Sequence, residues 1–233
     1  MRYNIAIDGP AGAGKSTIAK RLAKELGAIY VDTGAMYRAM AYYLIQNQVD
    51  AADQEAIAAA CQHADISICY QDGEQVVLLN GENVNAYLRT EAVGNMASVS
   101  SVVPEVRKKL VELQQKLARE TDVVMDGRDI GTAVLPDATL KVYLTASSHV
   151  RAERRYKELS ERGESCSLEA IEQDIIERDY RDMHRELSPL KQAEDAILLD
   201  TSALNFEEVM REMEKLVEAA KKKQKNPIAV GNF

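Results

Sequence analysis

Residues 9–16, Gly-Pro-Ala-Gly-Ala-Gly-Lys-Ser, form a complete G-x-x-x-x-G-K-S loop directly after the apolar stretch Tyr3 to Asp8. Ahead of it stand the β-branched Ile5 and Ile7; behind it Ile18, Ala19, Leu22, Ala23 and Leu26 recur with helical period. Strand, loop and helix in that order are the context in which such a loop cradles phosphate, and they commit this end of the chain to an α/β unit. Glycines let the backbone curl so that its N–H groups converge on an anion, Lys15 reaches the β and γ oxygens, and the Ser16 hydroxyl joins the shell of a Mg2+ ion. A helix opening at Lys15 turns its positive end toward the same anion. The chain is expected to grip a nucleoside triphosphate.

The same alternation continues. Ala28 to Val31 is a short β-prone run ending at Asp32, and Gly34 to Gln46 carries Met36, Met40 and Leu44 on one side of a helix. Val123 to Met125 before Asp126, Leu140 to Leu144, and Ile197 to Leu199 before Asp200 are further strands. Helical patterns cover Pro104 to Glu120, Ser148 to Arg162, Ser167 to Arg185 and Asn205 to Lys222. Strands alternating with helices predict a five-stranded parallel, doubly wound α/β core. Between Ala64 and Leu88 the period changes to alternation with turns at Gln71-Asp-Gly-Glu and Asn80-Gly81, which predicts a small antiparallel insertion. The expectation is one domain over 1–233: core 1–61, 92–147 and 187–222, a substrate-covering insertion at about 62–91, a charge-rich helical lid at about 148–186, and a disordered basic tail at about 223–233.

A net charge of −8 disfavours a nucleic-acid partner, so basic residues must act locally. Cys61, Cys69 and Cys166 show no C-x-x-C pairing, and His63, His149 and His184 are scattered, so neither a disulfide framework nor a histidine metal site is expected. Without a signal-like start or a long apolar run, the expectation is a cytoplasmic protein with no membrane partner, a monomer by default.

A phosphate loop alone does not name a reaction. Asp126-Gly-Arg128-Asp129 follows an apolar strand, where α/β folds place ligand-binding groups, and Asp126 is positioned to hold Mg2+ through water. Arg38, Arg107 and Arg128 stand on three separate elements, suited to surrounding a second anion. The lid region adds Arg151, Arg154, Arg155, Arg178, Arg181, Asp182 and Arg185. Beside a phosphate loop, such a set implies phosphoryl transfer stabilised by Mg2+, Lys15 and lid arginines.

These segments together resemble the bacterial cytidylate kinases, within the P-loop nucleoside monophosphate kinases, from Ile5 to about Leu216. The resemblance rests on Ile7 to Ser16, Asp32-Thr-Gly-Ala-Met-Tyr-Arg38, Asp126 to Thr132 with Pro136-Asp-Ala, Arg178 to Arg185 with Pro189-Leu190, and the antiparallel insertion. It implies ATP-dependent phosphorylation of CMP or dCMP, with Mg2+. It places ATP on Gly9, Pro10, Ala11, Gly12, Ala13, Gly14, Lys15, Ser16 and Thr17, and the metal on Ser16 and, through water, Asp126. It implies Arg38, Arg128 and Arg178 on the acceptor phosphate, Ser98, Arg107 and Asp129 at the cytosine edge, Thr33, Asp182 and Arg185 near sugar and phosphate, and Arg154 as a lid arginine for the transferred group. Lys15, Arg128, Arg154 and Arg178 would be the catalytic set. The family tends to have serine where Thr33 stands; both are hydroxyls.

The competing readings are a kinase for UMP, dTMP or shikimate on the same core, and a switch that binds nucleotide without monophosphate-dependent turnover. The Asp126-Gly-Arg-Asp run and the antiparallel insertion argue against the first, and against UMP in particular Asp129, as an acceptor of the cytosine amino proton, would be left unpaired.

Overall fold

The structure is a computed structural model that describes residues 2–225. The chain runs through β1 (Asn4–Asp8), α1 (Lys15–Leu26), β2 (Ile29–Asp32) and α2 (Thr33–Gln46). Next come α3 (Gln54–Cys61), the short strands β3 (Ile66–Gln71), β4 (Glu74–Leu79) and β5 (Glu82–Asn83), and then α4 (Glu91–Ser100) and α5 (Pro104–Glu120). It closes with β6 (Val123–Gly127), β7 (Leu140–Thr145), α6 (Ser148–Glu161), α7 (Leu168–His184), β8 (Ile197–Asp200) and α8 (Phe206–Lys225).

The main sheet is five-stranded and parallel in the order β2-β6-β1-β7-β8. Its middle strands, β1 and β6, are almost wholly buried and apolar except at their ends because helices cover both faces. On one face Ile5, Ile7, Val124, Val142 and Leu144 pack on Ile18 and Leu22 of α1 and on Val209, Met213 and Val217 of α8. On the other, Val31, Val123 and Met125 pack on Met36, Met40 and Leu44 of α2 and on Val106 and Leu110 of α5. Sidedness follows from the helical spacing of those residues.

The chain leaves β1 for β2 on one flank and reaches β7 on the other, so β1 marks the reversal of strand order, outside whose carboxyl end α/β sheets hold ligands. Each strand ends there on a polar or small residue: Asp8, Asp32, Gly127 just after Asp126, Thr145 and Asp200. Gly9 begins the loop with φ +149°, and a Cβ there would lie 1.9 Å from the Leu144 carbonyl oxygen. The loop lies directly on β7, and only glycine fits. Gly9→Ala is therefore expected to lose about 1–3 kcal/mol through crowding, and to lose affinity for ATP as the loop shifts. Chemical denaturation and ATP titration check this; parental values in both would refute it.

The antiparallel sheet, ordered β3-β4-β5, docks on the open edge of β2. There the Gln75 amide imitates a strand, accepting from the Asp32 N–H at 2.8 Å and donating to the Asp32 carbonyl at 3.2 Å. The Tyr70 hydroxyl donates to the Tyr30 carbonyl at 2.9 Å.

Three features depart from the sequence reading. Helices α3 and α4, capped by Asp53 and Thr90, have weak apolar stripes and do not announce themselves. Residues Ile130–Val134 form a π-helical turn after Asp129. The last helix runs to Lys225, correcting the expected start of the tail at 223; the expected disorder of 226–233 lies outside the described residues.

Candidate active site

The loop from Gly9 delivers Gly14, in the left-handed conformation at φ 87°, as the N-cap of α1. Gly12, Gly14, Ser16 and Thr17 face solvent, whereas Lys15 is buried. Its Nζ folds back to donate to the Pro10 carbonyl at 2.7 Å. Burial and then the nearby Arg128 cation bring its pKa down to about 7, opposed by Asp126, Asp8 and Asp182. A phosphate in the loop would supply the negative charge this ammonium lacks.

Asp126 ends β6 beside the loop. Its carboxylate accepts from the Ser16 hydroxyl at 2.8 Å and from the Tyr30 hydroxyl at 2.9 Å. Burial and then Asp32 push its pKa up to about 6, against Lys15, Ser16 and Tyr30. A hydroxyl and a carboxylate meeting at a phosphate loop form an all-oxygen donor pair that suits Mg2+, a hard cation that keeps waters and takes few protein ligands. The residues present fit that ion.

Next to this pair lies an arginine-rich cluster whose cations are held by carboxylates. Arg38 reaches Asp32 at 3.2 Å, and Arg128 donates through Nε to Asp182 at 2.9 Å. Buried Arg107 pairs with buried Asp129, and Arg185 approaches the same carboxylate at 3.9 Å. Arg107 also lies over the Tyr37 ring, 5.9 Å from its centroid. Burial would raise Asp182, but Arg128, Arg178 and Arg185 outweigh it and hold its carboxyl below the usual range. Solvent still reaches Arg178, yet the protein around it and then Arg128 lower its pKa. Burial likewise lowers Arg185. Cations crowded until their charge is disfavoured are chemically suited to receiving an anion such as a phosphate.

The profile of the Cytidylate kinase family matches residues 5–221. The chain belongs to the cytidylate kinase family. It is 50% identical over 222 residues to the cytidylate kinase of Lactobacillus johnsonii, covering 95% of each chain. It is also 50% identical over 210 residues to that of Streptococcus pneumoniae D39, covering 90% of this chain and 94% of the relative. A solved structure of an uncharacterized protein from Eubacterium ventriosum aligns with a TM-score of 0.52 at 12% identity over 94% of this chain and 99% of that one, a likeness of fold alone.

Of the residues that the resemblance to cytidylate kinases singled out, the structure brings Lys15, Ser16, Asp126 and Arg128 together around the loop, and Arg38, Arg107, Asp129, Asp182 and Arg185 into the adjoining cluster of ion pairs. Thr33 is buried with its hydroxyl donating to the Asp126 carbonyl at 2.7 Å, so it braces the end of β6. Ser98 is half-buried on α4, and its carbonyl accepts from the Ser101 hydroxyl. Arg154 points to the end of β8, donating to the Thr201 carbonyl at 2.9 Å. Arg151, one turn earlier, touches the phosphate loop through the Ala11 carbonyl at 3.0 Å.

Sequence reasoning missed Asp8. Its two carboxylate oxygens accept from the backbone N–H groups of Ile130 and Gly131, each at 2.7 Å, pinning the π-helical turn that carries Asp129 at its start. Burial brings its pKa up to about 6, reinforced by Asp129 and opposed by the two N–H groups and Lys15. A carboxyl raised in the fold contributes stability below its ordinary pKa of 3.8 that is lost as the pH climbs through about 6. Asp8→Asn is therefore expected to gain on the parent by on the order of 2 to 3 kcal/mol between about pH 4 and pH 7. Thermal unfolding of both proteins across that interval is the measurement, and a stability difference independent of pH would remove the assignment.

Proposed function

We propose that the chain transfers the γ-phosphoryl group of ATP to CMP or dCMP, yielding ADP and the corresponding diphosphate. The observation that carries this reading is the phosphate loop beside an arginine cluster containing the buried Arg107–Asp129 pair, in a chain 50% identical to a cytidylate kinase. The loop from Gly9 to Thr17 takes the ATP phosphates, and Ser16, with Asp126 through water, would hold Mg2+. Mg2+ would neutralise charge on the β and γ oxygens. Lys15 adds a cation at the transferred group.

Arg38, Arg128 and Arg178 take the acceptor phosphate, displacing Asp32 and Asp182 as partners. Ser98, Arg107 and Asp129 read the cytosine edge, and Thr33, Asp182 and Arg185 lie toward the sugar and phosphate. The acceptor oxygen is ionised at neutral pH, so positioning and charge neutralisation suffice without a general base. Arg154, which donates to the Thr201 carbonyl, would have to leave that partner to reach the transferred group, as a lid arginine of a closed form would. The antiparallel insertion at 62–91 flanks the acceptor, the helical pair at 148–186 is the lid, and the rest is core. The same reading has the chain acting as a cytoplasmic monomer; among the described residues no helix is long and apolar enough to cross a membrane.

The test offers ATP and Mg2+ with CMP, dCMP, UMP, dTMP and AMP separately and follows ADP. Turnover led by CMP or dCMP is expected. A lead by UMP would refute the role of Asp129, and no stimulation by any monophosphate would refute the kinase reading.

A further inference from the structure

Arg151 is 4% exposed, and its guanidinium spends all three nitrogens on fixed partners. Nε donates to the Ala146 carbonyl at 2.8 Å. One terminal nitrogen donates to the Ala11 carbonyl at 3.0 Å and to Asp179 Oδ1 at 3.1 Å, and the other to Asp179 Oδ2 at 2.6 Å. Three elements therefore converge on one planar cation: the turn after β7, the phosphate loop, and α7, which carries Asp179 between Arg178 and Asp182. The packing is close, because a Cβ on Gly12 would stand 3.5 Å from the Arg151 Cβ.

The contact with Ala11 has a stereochemical consequence. Across a trans peptide the carbonyl oxygen of one residue and the N–H of the next point in opposite directions. With the Ala11 oxygen drawn to Arg151, the Gly12 N–H is turned to the side of the peptide opposite that guanidinium. A loop that recognises phosphate by its N–H groups depends on that orientation.

We propose that Arg151 is a positioning residue that locks the Ala11–Gly12 peptide for phosphate, and that Asp179 couples this lock to the helix bearing Arg178 and Asp182. This rests on the phosphoryl-transfer reading above. A fork held bidentately by Asp179 defines the direction of its remaining N–H bonds, which a lysine, a point charge with rotating donors, does not.

Arg151→Lys, Asp179→Asn and the double variant test this, with calorimetric titration of ATP in the absence of any acceptor, steady-state kinetics with ATP and CMP varied separately, and thermal unfolding. Arg151→Lys is expected to weaken ATP binding about tenfold or more and to lower kcat by a similar factor, while KM for CMP changes less than about threefold. Asp179→Asn is expected to weaken ATP binding in the same direction, and the double variant to be no worse than Arg151→Lys alone. If Arg151→Lys only lowers the unfolding temperature and binds ATP within about twofold of the parent, Arg151 merely packs α6 and the proposal fails. Unchanged or tighter ATP binding by Asp179→Asn would also overturn it, because Arg151 would then be a phosphate ligand restrained by Asp179. Since the titration needs no acceptor, failure of the CMP assignment in the parent protein would leave this result readable.

Discussion

Lys15→Ala is expected to reduce turnover with CMP by about 10²–10³-fold or more, the loss typical of removing one preorganised charge from a transition state. The fold should survive. Lys15 lies 95% out of solvent with its ammonium on a single backbone carbonyl, and burial and Arg128 hold its pKa near 7. A lysine depressed in the fold contributes stability that is complete above its ordinary pKa of 10.5 and is lost as the pH falls through about 7. At and below neutral pH the charged side chain opposes folding, so the alanine variant should unfold no earlier than its parent. The cost of keeping this cation in the free protein is recovered when the triphosphate arrives. Initial rates and thermal unfolding at pH 7 check both halves, and turnover within tenfold of the parent would remove Lys15 from the mechanism.

The second large effect is expected at Asp129. It and Arg107 are each 5% exposed and face one another, with Arg185 at 3.9 Å from the same carboxylate. Asp129→Ala would leave Arg107 buried without its counter-ion and should cost about 3–5 kcal/mol of stability. Asp129→Asn keeps the shape and tests recognition. A carboxylate only accepts hydrogen bonds and so favours the cytosine amino group, whereas an amide also donates, toward the uracil carbonyl. Asp129→Asn should therefore erase about 1–3 kcal/mol of preference for CMP over UMP. The ratio of kcat/KM for the two acceptors measures it; a ratio within twofold of the parent would show that Asp129 serves only to hold Arg107.

Much of this machinery was legible in the chain. The five core strands are short runs rich in apolar residues, as parallel pairing between covered layers requires, although β6 passes to β7 through a π-helical turn and not through the expected helix. The phosphate loop was legible because its chemistry is local: consecutive backbone N–H groups, one lysine and one hydroxyl. Asp126 was legible because a carboxylate just past an apolar strand reaches the ligand-bearing edge of such a sheet. The helices α3 and α4 were not, since a short or weakly striped helix owes its existence to its packing.

The sequence by itself determined the α/β class, the loop and the residue types that phosphoryl transfer needs, since these follow from local periodicity and the chemistry of neighbouring residues. Only the tertiary structure decided which groups each arginine meets. Arg151 and Arg154 sit one turn apart on α6, yet one meets Ala11 of the phosphate loop and the other Thr201 beyond β8. It also brought Asp8 to the turn after Asp129, and Gln75 to the edge of β2. Such pairings join residues far apart in the chain, and no period or spacing encodes them; they exist because the packed sheet and its helices bring those backbones within hydrogen-bonding reach.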